Sequence, residues 1–262
     1  AYGATWYSAV PTIHQILLAR AEEDQAPAES FRFIRSCSSA LAPSVFADLE
    51  SRFGAPVLEA YGMTEASHQM SSNLLPPGLR QPGTVGQGTG VELGIMDEAG
   101  NFLELGGRAE VVIKGANVTK GYHKNHQANE ESFVGEWFRT GDQGFLDEKG
   151  VLRLTGRLKE LINRGGEKIS PLEVDAALLR HPSVAEAVCF GVPDQKYGEV
   201  VQAAVVLSEN VSTDVIRSFC SDYLSDFKIP DKIYVLDTLP RTATGKIQRR
   251  HIAAEFVPQV DD

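Results

Sequence analysis

Residues 153–171 place the strongest constraint on the fold, because this segment changes structural character twice. Just before it, residues 150–154 alternate apolar and polar side chains, as a half-buried strand does. At its end, the Ser-Pro-Leu-Glu of residues 170–173 has the spacing of a capped helix N-terminus. Its charged middle contains Gly165 and Gly166, and paired glycines can take φ > 0 and approach a ligand closely. The segment predicts either a hinge between two folded blocks or an ordinary surface loop, where such residues are also common.

Composition limits the class of protein and of partner. The chain has 262 residues, 42% hydrophobic and 23% charged, which suffices for one large globular domain or two ordinary ones. Its formal net charge of -10 argues against general affinity for nucleic acid or anionic membranes, so a small-molecule partner is expected. No apolar run approaches the roughly 20 residues of a membrane span. Cys37, Cys189 and Cys220 are too scattered for a disulfide framework or a metal site, which indicates an intracellular, reducing location.

The first 81 residues show a strand, helix, strand order. Residues 31–37 alternate like a strand, residues 45–53 follow as a helix after a turn of small residues, and residues 56–60 form the next short strand. This order is typical of an α/β domain with a mainly parallel sheet. Because ligands bind at the carboxyl ends of such strands, the residues just after each strand are candidates for chemistry.

The remainder of the chain shows two further sequence patterns. Between 82 and 156, short strands are expected at residues 91–96, 109–114, 144–146 and 151–154, separated by glycine-containing turns. This pattern predicts a small β-barrel or an antiparallel sheet. Residues 167–262 show a compact α+β pattern. Its predicted elements are a helix at 171–180, strands at 184–192 and 200–207, a helix at 213–224, a strand at 232–237 and a last helix from about 247.

Five motifs occur in an order typical of one known family. They are the Tyr-Gly-Met-Thr-Glu of residues 61–65, residues 110–122, residues 137–144, residues 153–171 and the Pro-Arg-Thr-Ala-Thr-Gly-Lys of residues 240–246. This order resembles the adenylate-forming superfamily, which includes acyl-CoA synthetases, peptide-synthetase adenylation domains and luciferases.

The resemblance implies a domain organisation. Residues 1–81 would be the remainder of a large N-terminal α/β adenylation domain, 82–156 a β-barrel-like subdomain, 157–166 the hinge and 167–262 an α+β lid domain. These residues do not include the Ser/Thr/Gly-rich loop that holds the ATP triphosphate in the superfamily. The chain is therefore expected to be the C-terminal portion of an enzyme whose N-terminal portion is missing from these residues.

The resemblance assigns one set of residues to the nucleotide: Ser39, Ala40, Tyr61, Gly62, Thr64, Asp142, Arg157 and Lys246. In this assignment Tyr61 stacks on adenine, and Asp142 accepts hydrogen bonds from the ribose hydroxyls with Arg157 as its companion. Glu65 would be a ligand of Mg²⁺, which prefers carboxylate and phosphate oxygens. Taken without the resemblance, a Thr-Glu pair after a strand is more often a helix N-cap.

Two half-reactions at one site are also implied by the resemblance. With Thr64 and Glu65, Lys246 would serve the formation of the acyl-adenylate, by bringing a positive charge to the carboxylate and the α-phosphate. Rotation about Lys159 would then replace Lys246 by Gly165–Gly166, which open a path for the pantetheine of CoA. From the residues alone, a lysine on such a loop is simply solvated.

The segment around His68 predicts a polar acyl pocket. Residues 66–73 are crowded with hydrogen-bond donors and acceptors, whereas a fatty acyl enzyme needs an apolar tunnel. With Ser38, His68 would hold the distal carboxylate of a short diacid, either as a cation or as a neutral N–H donor. Otherwise His68 faces solvent or satisfies a core hydrogen bond. Residues 61–76 and 35–38 are most similar to the oxalate-CoA ligases of the superfamily, which make oxalyl-CoA.

The predicted function is ligation of a small carboxylic acid, oxalate first, to coenzyme A through an acyl-adenylate, with ATP and Mg²⁺. The alternatives are a ligase for another short or aromatic acid, another adenylating class, and a nucleotide-binding fragment without turnover. The expected compartment is the peroxisome or the cytoplasm, although the chain ends in Val-Asp-Asp rather than in a Ser-Lys-Leu address.

Overall fold

The computed structural model describes residues 3–23, 31–243 and 245–256. The chain divides into two compact units, Ala1–Leu158 and Lys159–Asp262, each with its own hydrophobic core. The boundary falls within the segment predicted as the hinge, residues 157–166. No helix in the described ranges is both long and apolar enough to cross a membrane.

The first unit opens with a five-stranded sheet whose spatial order follows the chain. Its strands are β1 (Trp6–Ala9), β2 (Phe33–Ser36), β3 (Val57–Met63), β4 (His68–Ser72) and β5 (Gln87–Gly88), with helices α1 (Pro11–Glu23) and α2 (Pro43–Phe53) between the first three. Strands β1, β2 and β3 are parallel, and β4 and β5 run antiparallel to their neighbours. Left-handed Gly54 ends α2. The predicted strand, helix, strand order is confirmed, whereas β1 had no counterpart in the sequence analysis.

The rest of the first unit is a second, antiparallel sheet. Its strands are β6 (Glu92–Met96), β7 (Ala109–Lys114), β8 (Phe133–Val134), β9 (Trp137–Leu146) and β10 (Leu152–Arg157), in the order β10-β9-β7-β6 with β8 beside β9; α3 (His126–Ser132) precedes β8. Val111, Ile113, Phe138 and Leu152 are buried in its core. An antiparallel sheet is one of the two forms predicted for residues 82–156. Closure of this sheet into a barrel stays a prediction.

Strand β9 begins at Trp137, well before the strand expected at residue 144. The residues before 144 are extended because they pair with β7, where Ile113 lies opposite Phe138. Their polar and glycine-rich sequence does not itself alternate apolar and polar side chains.

The second unit packs three helices against a third sheet. Its strands are β11 (Ile162–Arg164), β12 (Glu167–Ile169), β13 (Val184–Asp194), β14 (Gly198–Leu207) and β15 (Lys232–Val235), and its helices are α4 (Pro171–Leu178), α5 (Thr213–Cys220) and α6 (Arg249–Phe256). The order is β12-β11-β14-β13, with β15 parallel to β14. The side chain of Ser170 accepts a hydrogen bond from the backbone N–H of Glu173, which confirms the predicted N-cap of α4. Helix α5 ends earlier than the predicted residue 224, because the N–H groups of residues 221–223 donate to carbonyls three positions back, as in a turn.

Candidate active site

Three residues assigned to the nucleotide meet in the first unit. The hydroxyl of Tyr61 on β3 donates a hydrogen bond to Oδ2 of Asp142 on β9. Nε of Arg157, opposite Asp142 in the β9–β10 pairing, lies 2.8 Å from Oδ1. Tyr61 and Asp142 are buried and Arg157 is exposed. An aromatic ring, a carboxylate and a guanidinium are therefore held together from three strands.

The electrostatics of this cluster keep Tyr61 as a donor. Burial, reinforced by the negative charge of Asp142, raises the pKa of Tyr61 well above its ordinary value. The phenol therefore stays protonated at physiological pH and its O–H remains directed at the carboxylate.

Glu110 on β7 positions the part of β9 that carries Asp142, next to a register shift in the β7–β9 pairing. Its Oε1 accepts from the backbone N–H of Gly141 at 2.8 Å, and its Oε2 lies 2.7 Å from Nε of Arg139. Thr140 completes the arrangement, because its Oγ1 accepts from the N–H of Asp142 at 3.1 Å and donates to the β7 backbone. Sequence reasoning named Glu110 within a motif but gave it no role, since its partners become apparent only when β7 and β9 pair.

Thr64 and Glu65 follow β3 in a single 3-10 turn, Thr64–Ala66. The cap position is Met63 and no side chain caps this turn, so the N-cap alternative for Thr64 is not what the structure shows. Thr64 is exposed. Oε1 of the half-buried Glu65 accepts from the hydroxyl of Tyr122 at 3.0 Å.

The metal assignment can be tested on these donors. Among the described residues there is no group of three or more His, Cys, Asp or Glu side chains able to hold a metal ion. Glu65 is thus a single carboxylate beside the nucleotide residues, and phosphates and water would complete the coordination. This donor set fits Mg²⁺, which is usually bound through one or two carboxylates plus substrate phosphates.

Gly62 is required by backbone packing. A Cβ at this position would lie 1.5 Å from the carbonyl oxygen of His68 on the paired strand β4. Only glycine therefore lets β3 and β4 approach closely enough to place the Tyr61 segment and His68 side by side.

Ser38 and His68, assigned to the acid, both have left-handed backbones, with φ of 73° and 85°. Such angles are strained for residues other than glycine and often mark functional sites. Both side chains are exposed, as are those of Ser39 and Ala40, and Ser39 Oγ donates to the Ser38 carbonyl at 2.9 Å. Nε2 of His68 lies 3.2 Å from Nη1 of Arg35, a residue to which sequence reasoning gave no role.

The remaining assigned residues belong to the second unit. Lys246 is exposed on a loop that is closed by hydrogen bonds between Thr242 and Lys246 and by a bridge of residues 241 and 247; residue 244 of this motif lies outside the described residues. Gly165 and Gly166 form the β11–β12 turn with φ of 60° and 93°, which explains the glycine pair. Lys159 is exposed in the 3-10 turn Leu158–Glu160.

Arg249 ties the hinge end of the second unit to α6. Its Nη2 lies 2.7 Å from Oδ2 of Asp175, its Nε lies 3.2 Å from Oε2 of Glu160, and it donates to the carbonyl of Cys189. The guanidinium and its two carboxylates fix the residue after the proposed pivot to the helix that follows the Lys246 loop. Sequence reasoning missed this cluster, because its members are spread from the 3-10 turn Leu158–Glu160 to α6.

Known proteins match both parts of the chain. Residues 1–123 match the AMP-binding enzyme family, and residues 173–246 match the AMP-binding enzyme C-terminal domain. The oxalate-CoA ligase of Saccharomyces cerevisiae is 57% identical over 97% of this chain and 47% of that protein. The oxalate-CoA ligase of Arabidopsis thaliana is 54% identical over 98% of this chain and 51% of that protein.

A solved structure shares the fold. The O-succinylbenzoate coenzyme A synthetase of Bacillus subtilis, in complex with ATP and a magnesium ion, has a TM-score of 0.83 and 37% identity, covering 95% of this chain and 51% of that one. The chain spans about half the length of the curated relatives it matches. By these matches, and by motifs that fall on the clustered residues, the chain belongs to the adenylate-forming superfamily of AMP-binding enzymes.

Proposed function

We propose that this chain is the C-terminal portion of an AMP-forming acid-CoA ligase. The observation that carries the proposal is the convergence of Tyr61, Asp142 and Arg157. A flat ring next to a carboxylate suits an adenine base whose vicinal ribose hydroxyls need acceptors. The yeast and Arabidopsis relatives, both oxalate-CoA ligases that match almost the whole chain, support oxalate as the acid.

In the first proposed half-reaction, a carboxylate oxygen of the acid bonds to the α-phosphorus of ATP. The bond from that phosphorus to the bridging oxygen breaks, and acyl-AMP and pyrophosphate result. Such a displacement depends on positioning and on charge neutralisation. Thr64 donates a hydrogen bond to a phosphate or carboxylate oxygen, and Lys246 supplies a positive charge. Glu65 would hold Mg²⁺, which neutralises phosphate charge when bound.

In the second proposed half-reaction, the CoA sulfur bonds to the acyl carbon as the thiol loses its proton. AMP leaves with the electron pair of the broken carbon-oxygen bond, and the acyl thioester remains. We assign Gly165–Gly166 to the pantetheine path, because their glycine turn carries no side chains that would block it. Lys159 is assigned as the pivot that exchanges this turn for Lys246 between the two steps.

By itself the chain is proposed to bind AMP without forming an acyl-adenylate. The relatives are about twice as long, and no residues here correspond to the triphosphate loop that the superfamily resemblance implies. Ligase activity is therefore assigned to the full-length protein, with ATP, CoA and a small acid as substrates.

The test is pyrophosphate release by the full-length protein across a panel of acids, including oxalate, acetate, malonate, benzoate and a medium-chain acid. We expect oxalate to give the highest kcat/KM and to yield a CoA thioester when CoA is added. Preference for the medium-chain or aromatic acid would refute the assignment of the acid. Binding of AMP without pyrophosphate release from any acid would refute the ligase proposal itself.

A further inference from the structure

Arg35 is a cation to which the proposed nucleotide site gives no role. It lies near the carboxyl end of β2, where its Nη1 is 3.2 Å from both Ser8 Oγ and His68 Nε2, and its Nη2 is 3.0 Å from Gln69 Oε1. In the described part of the chain, no carboxylate accepts from this guanidinium. Arginine presents five N–H donors, so these three contacts leave one donor on Nε and one on Nη2 for a ligand.

The contact with Arg35 defines the hydrogen-bonding role of Nε2 of His68. A guanidinium only donates, so Nε2 of His68 accepts and the ring proton is assigned to Nδ1. A cationic imidazole would carry protons on both nitrogens and could not accept. Nε2 of His68 therefore carries no proton in this contact, and Arg35 is the cation next to it.

A continuous set of polar contacts links Arg35 to the residues already assigned to the acid. Ser8 Oγ, which accepts from Arg35, is 3.6 Å from Cys37 Sγ, and Ser38 Oγ is 3.7 Å from the same sulfur. On the other side, His68 contacts Arg35 directly. Arg35 as a whole is half-buried, whereas Ser38 and His68 are exposed.

We propose that Arg35 binds the second carboxylate of the acid and so makes the pocket select diacids; this inference rests on the proposed function. A guanidinium and a carboxylate form paired, charge-assisted hydrogen bonds with matched geometry. A diacid would supply the anion that Arg35 lacks within the described residues. A monocarboxylate would leave the partly buried charge uncompensated. His68 is then a positioning residue that orients the guanidinium through Nε2.

The experiment uses three variants of the full-length enzyme, with kcat/KM measured for oxalate and for acetate. Arg35→Gln should lower the value for oxalate about 10- to 100-fold and change that for acetate by about 2-fold or less. Arg35→Lys keeps the charge but loses the paired geometry, so it should fall between wild type and Arg35→Gln. Arg32→Gln removes an equal charge from an exposed residue next to β2 and should leave both acids unaffected.

Each outcome decides the inference. An equal loss for oxalate and acetate in Arg35→Gln, or no loss for oxalate, would overturn it while leaving the ligase proposal intact. If wild-type enzyme activates no acid, the proposed function fails first. Should Arg35→Gln fail to fold, Arg35→Lys decides: a fall restricted to oxalate supports the inference, and an equal fall for both acids overturns it.

Discussion

Replacement of Asp142 by asparagine tests whether this carboxylate binds the ribose of AMP. The variant should fold, because the amide has almost the same shape and its oxygen can still accept from Tyr61. The ion pair that is lost joins Asp142 to Arg157, whose side chain is 49% exposed. A pair with one partner so exposed contributes about 0 to 1 kcal/mol, so the free energy of unfolding should change by about 1 kcal/mol or less.

The effect of Asp142→Asn on the ligand should be larger. A carboxylate can accept from both vicinal ribose hydroxyls, whereas an amide offers one oxygen and turns an NH₂ group toward the second hydroxyl. Loss of a hydrogen bond to a charged group costs about 1.5 to 3 kcal/mol, which corresponds to a rise of about 10- to 150-fold in the Kd of AMP.

Calorimetric titration of the 262-residue chain with AMP and with 2′,3′-dideoxy-AMP separates the ribose from the base. Asp142→Asn should weaken the binding of AMP and leave the affinity for 2′,3′-dideoxy-AMP unchanged, because the dideoxy ligand has no ribose hydroxyls to donate to residue 142. The control is Asp48→Asn, the same change at an exposed position on α2. Equal weakening of both ligands, or no weakening of AMP, would show that Asp142 does not bind the ribose.

The other predictions concern stability and the two half-reactions. Burial raises the pKa of Glu59 from 4.5 to about 7, so the native state disfavours its ionisation. The free energy of unfolding of wild type relative to Glu59→Gln should therefore fall by up to about 3 kcal/mol as pH rises from about 4.5 to about 7. A difference between the two proteins in urea denaturation that does not change with pH would contradict this. Gly62→Ala should destabilise the first unit by about 2 kcal/mol or more, because the new Cβ meets the backbone of His68; a thermal midpoint equal to wild type would refute that contact. In full-length enzyme, Lys246→Ala should abolish pyrophosphate release yet spare thioester formation from synthetic acyl-AMP, whereas Gly166→Leu should do the reverse. Equal losses in both assays for both variants would refute the assignment of Lys246 and Gly166 to different half-reactions.

Much of the fold could be predicted because its determinants are local. The N-cap at Ser170 needs only the three residues that follow it, and its hydrogen bond is where the sequence predicts it. Alternation over residues 184–192 likewise marks β13, because successive side chains of a strand face opposite sides. Prediction was wrong where a strand owes its existence to a neighbour, as at the start of β9, whose Phe138 is held by β7.

For the candidate site too, local sequence could predict some features, whereas others depend on how the strands pair. Sequence motifs alone singled out Tyr61 and His68 as site residues, because a motif needs only neighbouring positions of the chain. Only tertiary structure decided which groups meet, because strand pairing joins residues far apart in the chain: the Tyr61–Asp142 contact spans 81 positions and the Arg35–His68 contact spans 33. That second contact requires Nε2 of His68 to accept from Arg35, because a guanidinium can only donate. No spacing within the sequence carries that information, because it depends on the register of separate strands.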